Sequence, residues 1–233
     1  DAVVGIRIGA TNGSNSTTGG IKLYNNSVNL GSGSFAGNAS GTQSAALFLS
    51  SVTSDLDIRN NVFATNLLNS AASSAKSWAI YSAAANTAFT NIDYNNYSVS
   101  GSQGVLSYLG SDRTSLSALQ SAFGGNSNSR NSQPNFVSAT DLHLPSSAGQ
   151  NWSFESAGTP ISSVSADIDG DTRDASKPDI GADEFDGVPL PQCTTPTIQA
   201  SAVTITNLSA TSSTVSFTAG NGASYLVVTA TGS

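Results

Sequence analysis

Ile21-Lys22-Leu23-Tyr24-Asn25-Asn26-Ser27-Val28, Leu56-Asp57-Ile58-Arg59-Asn60-Asn61-Val62-Phe63 and Asn91-Ile92-Asp93-Tyr94-Asn95-Asn96-Tyr97-Ser98 align on a shared Asn pair. The pairs begin at 25, 60 and 95, so both intervals are 35 residues. A fixed period of this size marks a repeat architecture. A short alternating strand stands ahead of each pair: Ile21/Leu23, Leu56/Ile58 and Ile92/Tyr94, with side chains two apart on one face. A second apolar strand precedes each of these: Gly5-Ile6-Arg7-Ile8, Ala46-Leu47-Phe48-Leu49 and Trp78-Ala79-Ile80-Tyr81. Polar stretches rich in Gly, Ser, Asn and Thr lie between, such as 11–20 and 69–77. One such repeat cannot bury its own apolar face, so successive repeats are expected to stack strands in register about 4.8 Å apart. Asn suits the corners, because it tolerates left-handed backbone and hydrogen-bonds locally. Stacked Asn side chains can also form ladders. A β-sandwich has short strands and polar turns too, but it does not require one dipeptide at a fixed spacing.

Composition narrows the function classes. Only 10% of the 233 residues are charged, against about 25% in an ordinary soluble domain. Short runs of Val, Ile, Leu, Phe and Tyr recur throughout and argue against disorder. The net charge is −7. Eight scattered Lys and Arg make no cationic stripe, which excludes nucleic acid and anionic membrane surfaces as partners. No apolar run approaches the roughly 18 residues of a spanning helix, so no membrane insertion is expected. With a single cysteine, Cys193, and a single histidine, His143, neither an internal disulfide nor a zinc site is expected. The first residues already read as strand, so the biological start and any export signal are expected upstream.

The region from 92 to 186 carries a further series of motifs. Residues 114–123, Thr-Ser-Leu-Ser-Ala-Leu-Gln-Ser-Ala-Phe, read as a helix with Leu116, Leu119 and Phe123 on one face. Thr114 or Ser115 can cap its start, and Gly124-Gly125 ends it. Then come Pro134-Asn135-Phe136-Val137, Asp141-Leu142-His143-Leu144, Asp167-Ile168-Asp169-Gly170-Asp171-Thr172-Arg173 and Asp179-Ile180-Gly181-Ala182-Asp183-Glu184-Phe185. In this order the set resembles the C-terminal end of right-handed parallel β-helix proteins of secreted bacterial origin, relatives of the pectate-lyase-like fold. One departure is the stretch 146–158, where the usual Ser-Pro-Ala-Ile-Asp-x-Gly pattern is blurred. The resemblance implies an all-β, right-handed parallel β-helix (solenoid) over 1–186, with one short helix and an extracellular or cell-surface location.

Eight of the fifteen acids fall between Asp167 and Asp186, and two readings stand for them. Asp167, Asp169 and Asp171 alternate as in a calcium loop, which would make calcium the one cofactor. However, Pro178 occupies the twelfth position and Arg173 the seventh, against an EF-hand. The structural reading makes Asp169, Arg173, Asp179 and Glu184 a closing motif. Arg173 would pair with Asp169, Asp179 or Glu184 and close the end of the β-helix.

Residues 187–196 read as a linker, with Pro189, Pro191 and Pro196 resisting regular structure. Beyond it, 202–208, 213–218 and 224–229 alternate as three strands. They are similar to the start of a fibronectin type III-like module as found in surface proteins of Bacteroidota exported by type IX secretion. Such a sandwich needs about 90–100 residues, so 197–233 is read as an incomplete module and a partial β-sandwich.

Little chemistry is visible. His143, between two leucines, is read as a structural hydrogen-bonding residue. No Gly-x-Ser-x-Gly elbow and no Gly-rich phosphate loop is present. Lys22, Asp57 and Asp93 alternate with apolar residues at one equivalent position, so they point outward and are candidate sugar-facing groups, with a plain solvated face as the rival reading. Tyr24, Trp78, Tyr81 and Tyr97 are candidate stacking platforms, with packing in or between the repeats as the rival reading. The expected function is a non-catalytic structural or adhesive segment of a large secreted or cell-surface bacterial protein. A polysaccharide-active lyase or hydrolase with catalytic repeats upstream is the first alternative, and a carbohydrate-binding module the second. Expected partners are polysaccharide or other cell-surface components and the outer-membrane export machinery.

Overall fold

The structure is a computed structural model that describes residues 2–9, 19–31, 33–37, 43–147, 149–188 and 197–222. The chain separates into two units, Asp1–Leu190 and Pro191–Ser233. It is mostly strand. The first repeat supplies β1 (Val4–Ile8), β2 (Lys22–Tyr24), β3 (Ser27–Leu30) and the short β4 (Ser34–Phe35). The second supplies β5 (Gln43–Leu49), β6 (Leu56–Arg59), β7 (Val62–Thr65) and β8 (Leu68–Asn69). The third supplies β9 (Lys76–Ser82), β10 (Phe89–Asp93) and β11 (Asn96–Val99). Next come β12 (Gly104–Leu109), β13 (Ser111–Arg113) and α1 (Leu116–Phe123).

Equivalent strands of successive repeats pair in parallel. One sheet runs β1-β5-β9-β12, with β13 added antiparallel at its edge; the others run β2-β6-β10, β3-β7-β11 and β4-β8. Each repeat thus contributes one strand to each of three sheets, including a strand after the Asn pair that alternation alone does not reveal. The interior is built from residues stacked in register. Leu23, Ile58 and Ile92 align in one sheet, and Val28, Phe63 and Tyr97 in another. These residues join Leu47, Leu49, Ile80 and Leu106 in one apolar cluster. On the opposite face of the first sheet, Arg7, Phe48, Tyr81 and Tyr108 also share a register position. The Phe48 and Tyr81 rings stack at 5.0 Å and the Tyr81 and Tyr108 rings at 4.4 Å, with the Arg7 guanidinium 4.4 Å over Phe48.

The corner between the second and third strands is where the Asn pairs act, one position apart from their sequence alignment. Positive φ falls at Asn25 (51°), Asn60 (58°) and Tyr94 (55°), so the structural intervals are 35 and then 34. The next position carries a buried ladder. The Asn61 Oδ1 accepts from Asn26 N at 3.0 Å and Asn26 Nδ2 at 2.9 Å, and the Asn95 Oδ1 accepts in the same way from Asn61 N and Nδ2. Asn95 N in turn donates to Ser129 Oγ at 3.0 Å. Residues 126–133 therefore continue the stack without a regular strand: Arg130 N donates to Asn95 O, and Tyr97 N to Arg130 O. Tyr94 takes a backbone conformation that Asn tolerates better than Tyr. Tyr94→Asn is expected to raise stability by up to about 1 kcal/mol, read from the midpoint of a urea melt; a loss of stability would contradict it.

Helix α1 forms where expected, two residues shorter than its pattern. Ser115 caps it by accepting from Ala118 N, and Gly124 at φ 70° ends it. Leu119 and Phe123 are buried in the central cluster. The segments 134–137 and 141–144 form no regular strand: Val137 N donates to His143 O and Ser138 N to Asp141 O, while Asn135 exchanges two bonds with the Asn151 side chain and Leu144 N donates to Asp183. Pro134 lacks the amide needed to extend the ladder. In the second unit, β14 (Ser201–Thr206) and β15 (Thr214–Thr218) form an antiparallel pair. The expected third strand at 224–229, the linker beyond Val188 and Cys193 lie outside the described residues.

Candidate functional site

The segment 154–185 folds back over the corners of the first two repeats. Gly181 N donates to Asn60 O at 2.9 Å, and Ala182 N to Ser27 Oγ at 3.0 Å. Asn60 also exchanges two bonds with the Thr159 backbone, and Asn25 Nδ2 donates to Asp179 O. Val62, Leu144, Phe154, Ala157 and Ile180 form a second apolar cluster beneath it. A Cβ on Gly181 (φ 115°) would stand 2.9 Å from Ser27 Oγ, so the Ile-Gly-Ala motif needs glycine for this approach. The closing motif lies against residues 25–27 and 60–62, where the Asn25 and Asn60 side chains offer donors and acceptors to its backbone.

Of the three acids expected to partner Arg173, only Glu184 does so, at 3.0 Å. The other terminal nitrogen, Nη2, donates to Gly181 O and Ala182 O. Arg173 is buried. Glu184 also accepts from the amides of Asp174 and Asp179, so one ion pair holds three strands of loop. Asp179 is buried as well and accepts from Ser156 N at 2.6 Å and Phe185 N at 2.8 Å. Burial pushes its carboxyl up to about 7, against those two amide bonds, with Glu184 and Glu155 adding repulsion. Its folded-state value thus exceeds the unfolded one. Between about pH 4 and about 7 the unfolded chain releases this proton while the folded chain keeps it. Asp179 is therefore expected to lower stability as pH rises through that window, by at most about 1.4 kcal/mol per unit. A carboxyl titration by NMR checks it; a midpoint near 4 would contradict it.

Asp169, the second expected partner, turns away to His143, its Oδ2 lying 2.7 Å from Nε2. The other ring nitrogen contacts Asp141. These two carboxylates raise His143 to about 9, Asp141 contributing most. The remaining members of the calcium pattern are placed differently. Both oxygens of Asp167 accept backbone amides, from Asp169, Asp171 and Glu184. Its carboxyl is held down by those bonds against a burial that raises it. Asp171 is exposed. Among the described residues, the acids of this loop that approach a common point are Asp169 and Asp183, together with His143.

The outward line Lys22, Asp57 and Asp93 is only partly a line. Lys22 pairs with Asp57 in the ladder, but the residue beside Asp57 in the third repeat is Asn91, and Asp93 sits beside Arg59. The one-residue shorter repeat and the register shift between Phe89 and Asn91 cause this offset. Asp57 forms a two-bond pair with Arg59, both at 2.7 Å, and accepts from Tyr24 OH at 2.5 Å. Asp93 accepts from Asn128 N and Nδ2 at 2.8 Å. Tyr97 is fully buried and donates to Asn126 Oδ1. Both faces of Tyr81 are covered by Phe48 and Tyr108, with the Trp78 edge 5.0 Å away. Tyr97 and Tyr81 thus pack within and between the repeats, the rival to a sugar-stacking role. Sequence alone does not show that Phe48, Tyr81 and Tyr108 stack on one another, because register across repeats of unequal length is invisible locally.

Two open cavities of about 610 and 420 Å³ share Arg130 and Ser156. Tyr94 and Lys177 line the first, and Trp152, 41% exposed, lines the second. No residue of this cleft except Tyr94 belongs to the repeat motif, so sequence spacing had no means of marking it. No helix among the described residues is long and apolar enough to cross a membrane. No family model, curated protein or solved structure matches this chain.

Proposed function

We propose that residues 1–186 are the C-terminal turns of a right-handed parallel β-helix and that 197–233 begin a fibronectin type III-like module. In this reading the chain is a non-catalytic structural or adhesive segment of a large secreted or cell-surface bacterial protein. The observation that carries it is the buried ladder Asn26–Asn61–Asn95–Ser129, which links each repeat to the next through side chains as well as strands. A stack bonded in this way is a stiff support. The acids that a polysaccharide-cleaving site would need are engaged in structural bonds: Asp57 to Arg59, Asp93 to Asn128 and Glu184 to Arg173. Incubation of this chain with acidic polysaccharides is expected to release no new reducing ends and no unsaturated products. Product formation would overturn the non-catalytic reading.

A second reading, glycan binding, is favoured by the cleft around Arg130. It combines an exposed indole, a phenol and two cations, Arg130 and Lys177, that form no ion pair with a described carboxylate. Aromatic platforms with polar groups between them suit sugar rings. A glycan array with the wild type and Trp152→Ala tests it. Retention lost with Trp152 supports this reading, and no retention on any glycan removes it.

A further inference from the structure

We propose that His143, Asp169 and Asp183 form a binding site for one divalent transition-metal ion of the zinc, cobalt and nickel class. The three offer ligand atoms that all lie within 4.8 Å of one another. At metal–ligand distances of about 2.0–2.2 Å, closing that gap needs only a small inward movement. The two exposed members, His143 and Asp169, have side chains 42% and 56% accessible and are free to make it.

Two further observations point to a ligand there. The first is the orientation of the histidine. The Asp141 carboxylate engages Nδ1 and turns Nε2 toward Asp169. A carboxylate on the far ring nitrogen is the usual outer support of a metal-bound histidine, because it selects the tautomer and raises the basicity of the ligating nitrogen. The second is Asp183. It is only 7% exposed, and the one hydrogen bond it receives among the described residues is neutral, from Leu144 N to Oδ2 at 2.8 Å. Burial disfavours its charge, and the positive group that offsets this is His143; a metal ion held by the same imidazole would take over that role. The site is also held from three sides. Leu144 N ties the His143 segment to Asp183, Ile168 N ties the Asp169 loop to Ala182 O, and Asp169 N is fixed by Asp167 Oδ1.

The imidazole decides the class of ion. Nitrogen with two carboxylates suits zinc, cobalt and nickel, whereas calcium prefers an all-oxygen shell of six or more ligands. Three protein ligands leave a position for water, so the ion would lock the closing loop to the 141–144 segment without completing its own shell. Counting only histidine and cysteine in the sequence overlooks such a site, because two of its ligands are aspartates 26 and 40 residues beyond the histidine.

The full chain, stripped with a chelator, is titrated with zinc, cobalt and calcium, following melting temperature and, for cobalt, visible absorption. Saturable binding of one zinc or cobalt ion per chain is expected, with a raised melting temperature. His143→Ala and Asp169→Asn are each expected to weaken it at least tenfold. Asp141→Asn, which leaves all three ligands in place, should cost about 10- to 100-fold. Circular dichroism confirms that each variant folds, and Asp169→Asn, on an exposed side chain, serves if His143→Ala does not. The proposal is overturned if neither zinc nor cobalt saturates, or if binding survives unchanged in Asp169→Asn. A calcium shift that persists without His143 would also overturn it, placing the cation on Asp167 and Asp171.

Discussion

Replacing Asn61 by alanine is expected to destabilise the folded chain by about 3–5 kcal/mol. Asn61 has no exposed surface. Its amide nitrogen donates to Leu23 O at 2.9 Å, Arg59 O at 2.8 Å and Asn95 Oδ1 at 2.9 Å, and its oxygen accepts from Asn26 N and Nδ2. Alanine leaves several of these groups without partners in a fully buried site, each costing about 1–3 kcal/mol. Asn61→Asp is expected to rescue nothing. It keeps the acceptor for Asn26 but loses every donor and sets a carboxylate against the Asn95 and Leu23 oxygens. Asn26→Ala, at the half-buried outer rung, should cost only about 1 kcal/mol. Urea denaturation of the three variants reads the order directly. A loss below about 1 kcal/mol for Asn61→Ala would mean that the ladder contributes little and that strand pairing alone carries the stack.

Arg173→Met is expected to destabilise the closing segment by about 3–5 kcal/mol. Methionine retains much of the apolar stem, so the change isolates the guanidinium. Its removal leaves the Gly181 and Ala182 carbonyls and the Glu184 carboxylate without their donor. Arg173→Lys should recover little, since one ammonium cannot reach the carboxylate and two carbonyls with the same fork. Replacing Glu184 as well is not expected to restore stability, in contrast to an isolated buried pair. Glu184 also accepts from the Asp174 and Asp179 amides, which would be left open. Hydrogen exchange at the Gly181 amide, bonded to Asn60 O, reports the loss locally. Unchanged protection in Arg173→Met would show that the apolar cluster around Ile180 and Phe154 holds the segment unaided.

Both variants bear on how much of this protein is legible in its primary structure. The strands before each Asn pair, the capped helix and the left-handed corner at Asn25 and Asn60 follow from local rules. Period-two alternation, a Ser N-cap and the tolerance of Asn for positive φ each act within a few residues. The third strand of each repeat was missed because its residues are buried without clean alternation, as in Val62–Thr65. The third Asn pair was aligned one place too far along. Tyr94 holds the corner that Asn25 and Asn60 hold in the other repeats, and nothing in the dipeptide shows that its first Asn has moved to the ladder position.

The sequence by itself determined a chain of short strands with a 35-residue rhythm, polar corners and an Asp/Arg-rich closing segment. Only the tertiary structure decided which of those acids meets which base. Asp169, Asp179 and Glu184 are equally plausible partners for Arg173 on spacing alone, yet one is drawn to His143, one is capped by amides and one remains. The same holds for the docking of Gly181 and Thr159 on Asn60 across about a hundred residues of chain. Local preferences select backbone conformation, but ion pairing and amide capping depend on distances of a few ångströms between distant segments. Those distances exist only once the repeats have stacked and presented their corners.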